Sequence, residues 1–300
     1  MKIHPINHHG LNWIIGLIML ASLSAVADNH NIMRVGGSAE SIYDSRITDV
    51  EILFTVLFNE MFKDHNEEFR IKIYDTDQAL TRELAAGNLD AVFMDTVLYL
   101  DNFEHLHPEI AFAVQHGQSI KPKYILLVRR NSGIDSLHEL QNKKIIIPSG
   151  HAVGKRFLDV ELMHAGLPVS NDHFSEIRQT KESNTAIIKL FFNQVDAALV
   201  TDFSYEVASE LNLQIPQSLE IIETSPPFIH MVISVRKDFP RHRIDKIFPY
   251  LENLEEIPRL QYLRKSFRFQ GLHRISTDEV YDVRQLSDKY IRLRSEREIP

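Results

Sequence analysis

Hydrophobic and polar positions along the chain alternate between two periods. Residues 31–37 form a short apolar run ending in Gly36 and Gly37, and residues 49–63 place Ile52, Leu53, Val56, Leu57 and Met61 at helical spacing. Residues 69–74 alternate as a strand. A helical pattern over 76–86 stops at Gly87, the usual C-terminal signal, and residues 89–94 are a short apolar strand. This order, βαβαβ, predicts a parallel sheet with helices on its faces. After a strand at 124–128 the pattern recurs: helix 136–141, strand 144–147, helix 153–165, a strand near Ile177, helix 185–192, strand 197–200 and a helix over 203–211. Two α/β units in tandem follow, each expected to hold a mainly parallel sheet flanked by helices.

Two extended runs, 124–128 and 229–235, end alike in Val128-Arg129-Arg130 and Val235-Arg236-Lys237. They are read as the crossings between two lobes. Lobe one would hold residues 28–122, lobe two 123–234, and residues 235–300 would return to lobe one and supply the C-terminal helices. Ligands of open α/β sheets bind beyond the carboxyl ends of the strands, which places a site where the lobes face each other.

Composition narrows the class. A chain of 300 residues with 44% hydrophobic content can bury a full core. The N-terminus reads separately: Lys2, an apolar run over 13–20, then small residues ending in Ala25-Val26-Ala27 predict a secretory signal cleaved near Ala27, with an uncleaved anchor as the alternative. Net charge is −8, and because Lys2 is the only charged side chain in residues 1–27, the remainder sits at −9. That balance argues against a nucleic-acid partner. With no cysteine there is no disulfide, no thiolate metal site, no nucleophilic thiol and no lipidated cysteine after the signal.

The loop that carries the chemistry is Pro148-Ser149-Gly150-His151. It breaks the run Ile145, Ile146, Ile147 just before a helix, so backbone N–H groups and the positive end of the helix dipole converge there on an anion. Ser149 and Gly150 are candidate donors, and His151 adds charge if protonated. At the strand ends of lobe one stand Ser38 and Tyr43, then Asp95, Thr96 and Tyr99. Lobe two adds Ser183, Asn184 and Asp202. Asp95 and Asp202 are also candidates for holding a ligand amine. Each residue has a plainer alternative as a helix cap, a core tyrosine or a surface loop residue. Gly150 to Arg156 is one residue short of a phosphate-binding P-loop and carries Arg156 where the magnesium-holding hydroxyl belongs. His105 and His107 lie two apart, not four, so no helical zinc pair forms, and no Gly-x-Ser-x-Gly elbow is present. No cofactor, metal or enzymatic activity is expected.

The chain resembles the type II periplasmic solute-binding proteins, in the phosphate/phosphite/phosphonate branch of ABC transporter components. The resemblance rests on Val128-Arg129-Arg130-Asn131-Ser132-Gly133-Ile134 with Leu137-His138-Glu139-Leu140, and on Gly87-Asn88-Leu89-Asp90-Ala91 with Tyr99. Further matches are residues 193–198 with Asp202, Thr224-Ser225-Pro226-Pro227 and Tyr281-Asp282-Val283-Arg284-Gln285-Leu286. It implies a two-lobed protein that captures a small anionic, phosphonate-like or zwitterionic ligand by hinge closure and delivers it to an inner-membrane permease. The alternative is a periplasmic sensor subunit acting on a membrane kinase or cyclase; a hydrolase is the third option. Three departures bear on the ligand: the family's Ser-x-Ser-Gly loop keeps only Ser149-Gly150, its Gly-Pro is Asp95-Thr96, and its Ser-His-Asp is Ser183-Asn184-Thr185.

Overall fold

The structure, a computed structural model, describes residues 31–42, 47–62, 65–116, 119–254, 261 and 269–298. The signal segment and Tyr43 therefore lie outside the described residues. Two sheets form, as expected of two lobes. The first is built from β1 (Asn31–Ser38), β2 (Glu67–Tyr74), β3 (Ala91–Asp95), β4 (Leu106–His116), β10 (Met231–Arg236) and β11 (Phe269–Ile275), in the order β11-β4-β10-β3-β1-β2. The second holds β5 (Lys123–Arg129), β6 (Lys144–Pro148), β7 (Glu176–Thr180), β8 (Ala197–Thr201) and β9 (Leu219–Pro227), in the order β7-β6-β8-β5-β9.

Helices cover the sheets. In lobe one these are α1 (Ile47–Phe62), α2 (Asp77–Ala85), α3 (Thr96–Asp101) and, further along the chain, α9 (Arg241–Glu252). Lobe two carries α4 (Ala152–His164), α5 (Ser170–His173), α6 (Ser183–Phe191), α7 (Asp202–Leu211) and α8 (Gln214–Ser218). The chain ends in α10 (Tyr281–Glu298). The central strands are short apolar runs because helices cover both faces. All five residues of β8 are buried, as are Tyr124 to Val128 of β5 and Ile145 to Pro148 of β6. Among the described residues no helix is long and apolar enough to cross a membrane.

Four expectations are corrected. The sheets are mixed, not mainly parallel: β1 pairs in parallel with β2 and β3, and β6 with β7 and β8, but β5 and β10 run against both neighbours. The strand that enters lobe two and the strand that returns from it are thus the antiparallel ones. Second, neither run read as a crossing is a linker: 124–128 lies in β5 and 229–235 is mostly β10, internal strands in which Tyr124 to Val128, Val232 and Val235 are buried; runs so apolar cannot stay wet. The chain passes between sheets after β4 and again at 228–230. Third, residues 136–141 make only a 3-10 turn, His138–Leu140, too short to nucleate a helix. Glu139 turns back to accept from the Asp135 and Ser136 amides at 2.6 and 3.2 Å.

Fourth, the C-terminal helix does not stay on lobe one. Val283 and Leu286 of α10 join the apolar cluster that holds Tyr124, Val153 and Phe157 of lobe two, with Val97 of α3 in the same cluster. Arg297 donates to the carbonyls of Met163 and Leu167 at the far end of α4, and the Arg156 guanidinium stacks 5.0 Å from the Tyr290 ring centre. Toward lobe one, Arg284 lies 5.7 Å from the Phe103 ring centre. Spacing along the helix shows its apolar positions but not which lobe receives them.

Candidate functional site

The parallel strands of each sheet end at the same place. In lobe one β1, β2 and β3 finish at Ser38, Tyr74 and Asp95; in lobe two β6, β7 and β8 finish at Pro148, Thr180 and Thr201. Register brings both connections to these ends. Met231 at the start of β10 lies opposite Asp95, Tyr124 near the start of β5 opposite Thr201, and Pro227 at the end of β9 opposite Lys123. The carboxyl ends of the two parallel sets therefore lie where the chain passes from one sheet to the other.

On the lobe-one side Asp95 is the centre. Its Oδ1 caps α3, accepting from the Val97 and Leu98 amides at 2.8 and 3.1 Å. Ser41 brackets it, accepting from the Asp95 amide at 3.1 Å and donating to Oδ2 at 3.3 Å. Burial, with the negative Asp77 nearby, outweighs these bonds and pushes the Asp95 carboxyl up to about 6. Thr96 ties α3 to the second crossing: its hydroxyl donates to the Ile229 carbonyl at 2.7 Å and its amide to that of His230 at 3.0 Å. Ser38 is wholly buried, accepts from the Glu40 amide at 3.1 Å and hydrogen-bonds Asp77. Tyr99 takes its plainer alternative: it is packed in the lobe-one core with Leu80, Val92 and Leu106, and its buried hydroxyl has no hydrogen-bond partner. Burial pushes that hydroxyl up to about 12, against the opposing pull of Arg284.

On the lobe-two side Ser149 staples one loop to the next. Its amide and its hydroxyl both donate to the Thr180 carbonyl, at 2.8 and 3.1 Å, so the hydroxyl is already engaged. Gly150 has φ +75°, a left-handed turn that a side chain would strain. His151 then occupies the position before α4, only 3% exposed, its Nδ1 donating to the Ser149 carbonyl at 3.2 Å. Burial drives its pKa down to about 4, so it is neutral near pH 7 and supplies no cation, contrary to the role considered for it. The first turns of α4 and α6 have no side-chain cap, which leaves their amides as donors. Ser183, first in α6, is buried, and Asn184 is exposed. Three other helices at these strand ends are closed by side chains: Thr76 caps α2, Asp95 caps α3 and Thr201 caps α7. Asp202 secures the entry to lobe two, its Oδ1 accepting from the amides of Lys123 at 3.1 Å and Phe203 at 2.8 Å.

Tyr124, which carried no signal in the sequence beyond opening an apolar strand, joins the halves. Its ring packs edge-on to His151 at 5.5 Å and over Gly154, where a Cβ would come within 2.3 Å of it. Asp95 lies close enough for its charge to raise the Tyr124 phenol, after burial itself. The sequence-predicted residues Asp95, Thr96, Ser149, Gly150, His151 and Asp202 thus gather around the two crossings, with Ser38 reaching them through Asp77. Tyr99 does not join them.

Two sheets flanked by helices, joined at the carboxyl ends of their parallel strands, define the two-lobed periplasmic binding class. Over residues 48–281 the sequence matches the family described as ABC transporter, phosphonate, periplasmic substrate-binding protein, and the chain belongs to it. Solved structures share the fold. PhnD1 from Prochlorococcus marinus, in complex with methylphosphonate, is 15% identical with a TM-score of 0.66, covering 87% of this chain and 98% of that one. XAC2383 from Xanthomonas citri, bound to chloride ion, is 15% identical with a TM-score of 0.67, covering 88% and 99%. A binding protein component of an ABC phosphonate transporter from Pseudomonas aeruginosa is 11% identical with a TM-score of 0.68, covering 90% of each chain. No curated protein matches the chain.

Proposed function

We propose that the protein captures a small oxyanion, phosphonate-like or zwitterionic, between its lobes and hands it to an inner-membrane permease without altering it. Residues 1–27 serve as the cleaved export segment. The observation that carries the reading is the pair of uncapped helix starts, α4 and α6, side by side on the strand ends of lobe two. Backbone donors at a helix start hold an anion without a lysine or arginine, which suits a pocket edge whose histidine is neutral. Lobe one contributes Ser38, Asp95 and Thr96, and lobe two Ser149, Gly150, His151 and Ser183. A ligand that touches both favours the closed form by its differential contacts.

A thermal-shift panel of phosphate, phosphite, alkyl- and aminoalkylphosphonates, sulfonates and carboxylates tests this on protein from the periplasm, whose mass should correspond to a chain beginning at Asp28. A ligand present at a hundred times its Kd stabilises by about 2.7 kcal/mol, so at least one oxyanion should raise Tm by several degrees. A flat panel, or turnover of a phosphonate or phosphate ester abolished by Ser149→Ala, would reject the proposal.

A further inference from the structure

The C-terminal helix α10 carries two faces. On the inner one Val283, Leu286, Tyr290 and Leu293 pack into the lobe-two cluster and Arg297 bonds the end of α4, so the helix is held along its length. Tyr281, Arg284, Asp288 and Ile291 lie on the other side. Their spacing of three, four and three residues is that of heptad positions a, d, a and d, which sets all four on one stripe down about 15 Å of helix. The whole stripe is exposed, with Tyr281 at 55% and Ile291 at 60%. Among the described residues neither Arg284 nor Asp288 forms an ion pair, with each other or elsewhere; Arg284 lies against the Phe103 ring. Two large apolar side chains and two opposite charges thus stand unmatched in a heptad register on a helix whose other face is fixed.

We propose that this stripe is where two copies of the protein pair, through an antiparallel contact of α10 with α10. The stripe is its own complement. Tyr281 and Ile291 stand equally far before and after Leu286, and so do Arg284 and Asp288. A two-fold axis at the level of Leu286 therefore brings Tyr281 onto the partner's Ile291 and Arg284 onto the partner's Asp288, and repeats both contacts beyond the axis. That is the isologous pattern of a two-fold dimer, with each a position meeting a d position. A parallel arrangement would instead set Arg284 on the partner's Arg284 and Asp288 on the partner's Asp288, which repel, so the charges select the antiparallel one. A single pair of helices covers less than the about 1,200 Å² of a standard stable interface. The dimer is accordingly reversible and forms as concentration rises.

The test is sedimentation velocity of the exported chain from micromolar to near-millimolar concentration, on the wild type, Arg284→Asp, Asp288→Arg and the double variant. The wild type should pass from monomer to dimer across that range. Each single variant sets like charges against each other on both sides of the axis and should weaken self-association about tenfold or more. The double variant exchanges the charges and should regain the dimer. An equal mixture of the two single variants should also pair, although neither does so alone, because every charge then meets its opposite on the other chain. Asp288→Arg carries the comparison by itself should Arg284→Asp disturb the Phe103 contact. A wild type that stays monomeric throughout overturns the inference and leaves the stripe to a partner other than a second copy. Single variants that associate as well as the wild type overturn it by placing the dimer contact elsewhere, and so does monomer in both the double variant and the mixture.

Discussion

Two buried ionisable groups a few residues from the crossings titrate in opposite senses. Asp95 is raised from its ordinary 3.8 to about 6, so its favourable neutral form is fully present below 3.8 and is lost as pH rises through 6. His151 is lowered from 6.5 to about 4, so its contribution is complete above 6.5 and is lost as pH falls through 4. Each displacement amounts to about 3 kcal/mol at most between the protonation states. Asp95→Asn should therefore melt higher than the wild type at pH 8 and gain nothing at pH 4. His151→Gln should lose less stability than the wild type on going from pH 7 to pH 4. Parallel melts at the three pH values decide both, and an Asp95→Asn advantage that is the same at pH 4 and pH 8 would remove the buried-acid account. Little of this was legible in the chain, where His151 reads as a charged donor or as an exposed loop residue, not as a buried one. Burial is a property of neighbours distant in sequence, here Tyr124 and the helix that starts behind it.

Among elements, the strand and helix periods carried most of the order correctly. Thr76 and Gly87 bracket α2 as their types require, the Thr76 hydroxyl accepting from the Ala79 amide at 3.2 Å and Gly87 adopting φ +72°. What periodicity missed was partnership. The run at 229–235 has the same apolar character whether it bridges lobes or pairs inside a sheet, and only β3 and β4 on either side settle it. Gly154, in the first turn of α4, has its reason in Tyr124. Gly154→Ala would press a methyl into that ring. Overpacking of this kind costs about 1–3 kcal/mol. The variant should show that loss in urea melts together with weaker ligand binding, since the α4 amides move with the helix. Wild-type stability in Gly154→Ala would mean that the Tyr124 ring yields freely.

At the scale of the whole molecule, the two-lobed plan was legible from the repeat of α/β units, but the allegiance of the last helix was not. Its apolar face is spaced for packing anywhere, and it settles on lobe two because Val283 and Leu286 complete a cluster that α4 leaves open. The link from β11 in lobe one runs through Ser276, whose amide donates to the Glu279 carboxylate at 2.9 Å in a capping box over Thr277–Val280. Loosening that link with Glu279→Ala should enlarge the ligand-free radius of gyration in small-angle scattering and weaken binding several-fold, with the bound dimensions unchanged. Identical free-state scattering would show the link to be slack already.

A third strand of covalent chain therefore runs between halves that the two crossings already join, and it is anchored on the side away from its origin. It works as a check strap on a jaw: the gape has a mechanical stop, and the guest enters a mouth whose widest setting is written into five residues far from any of its atoms.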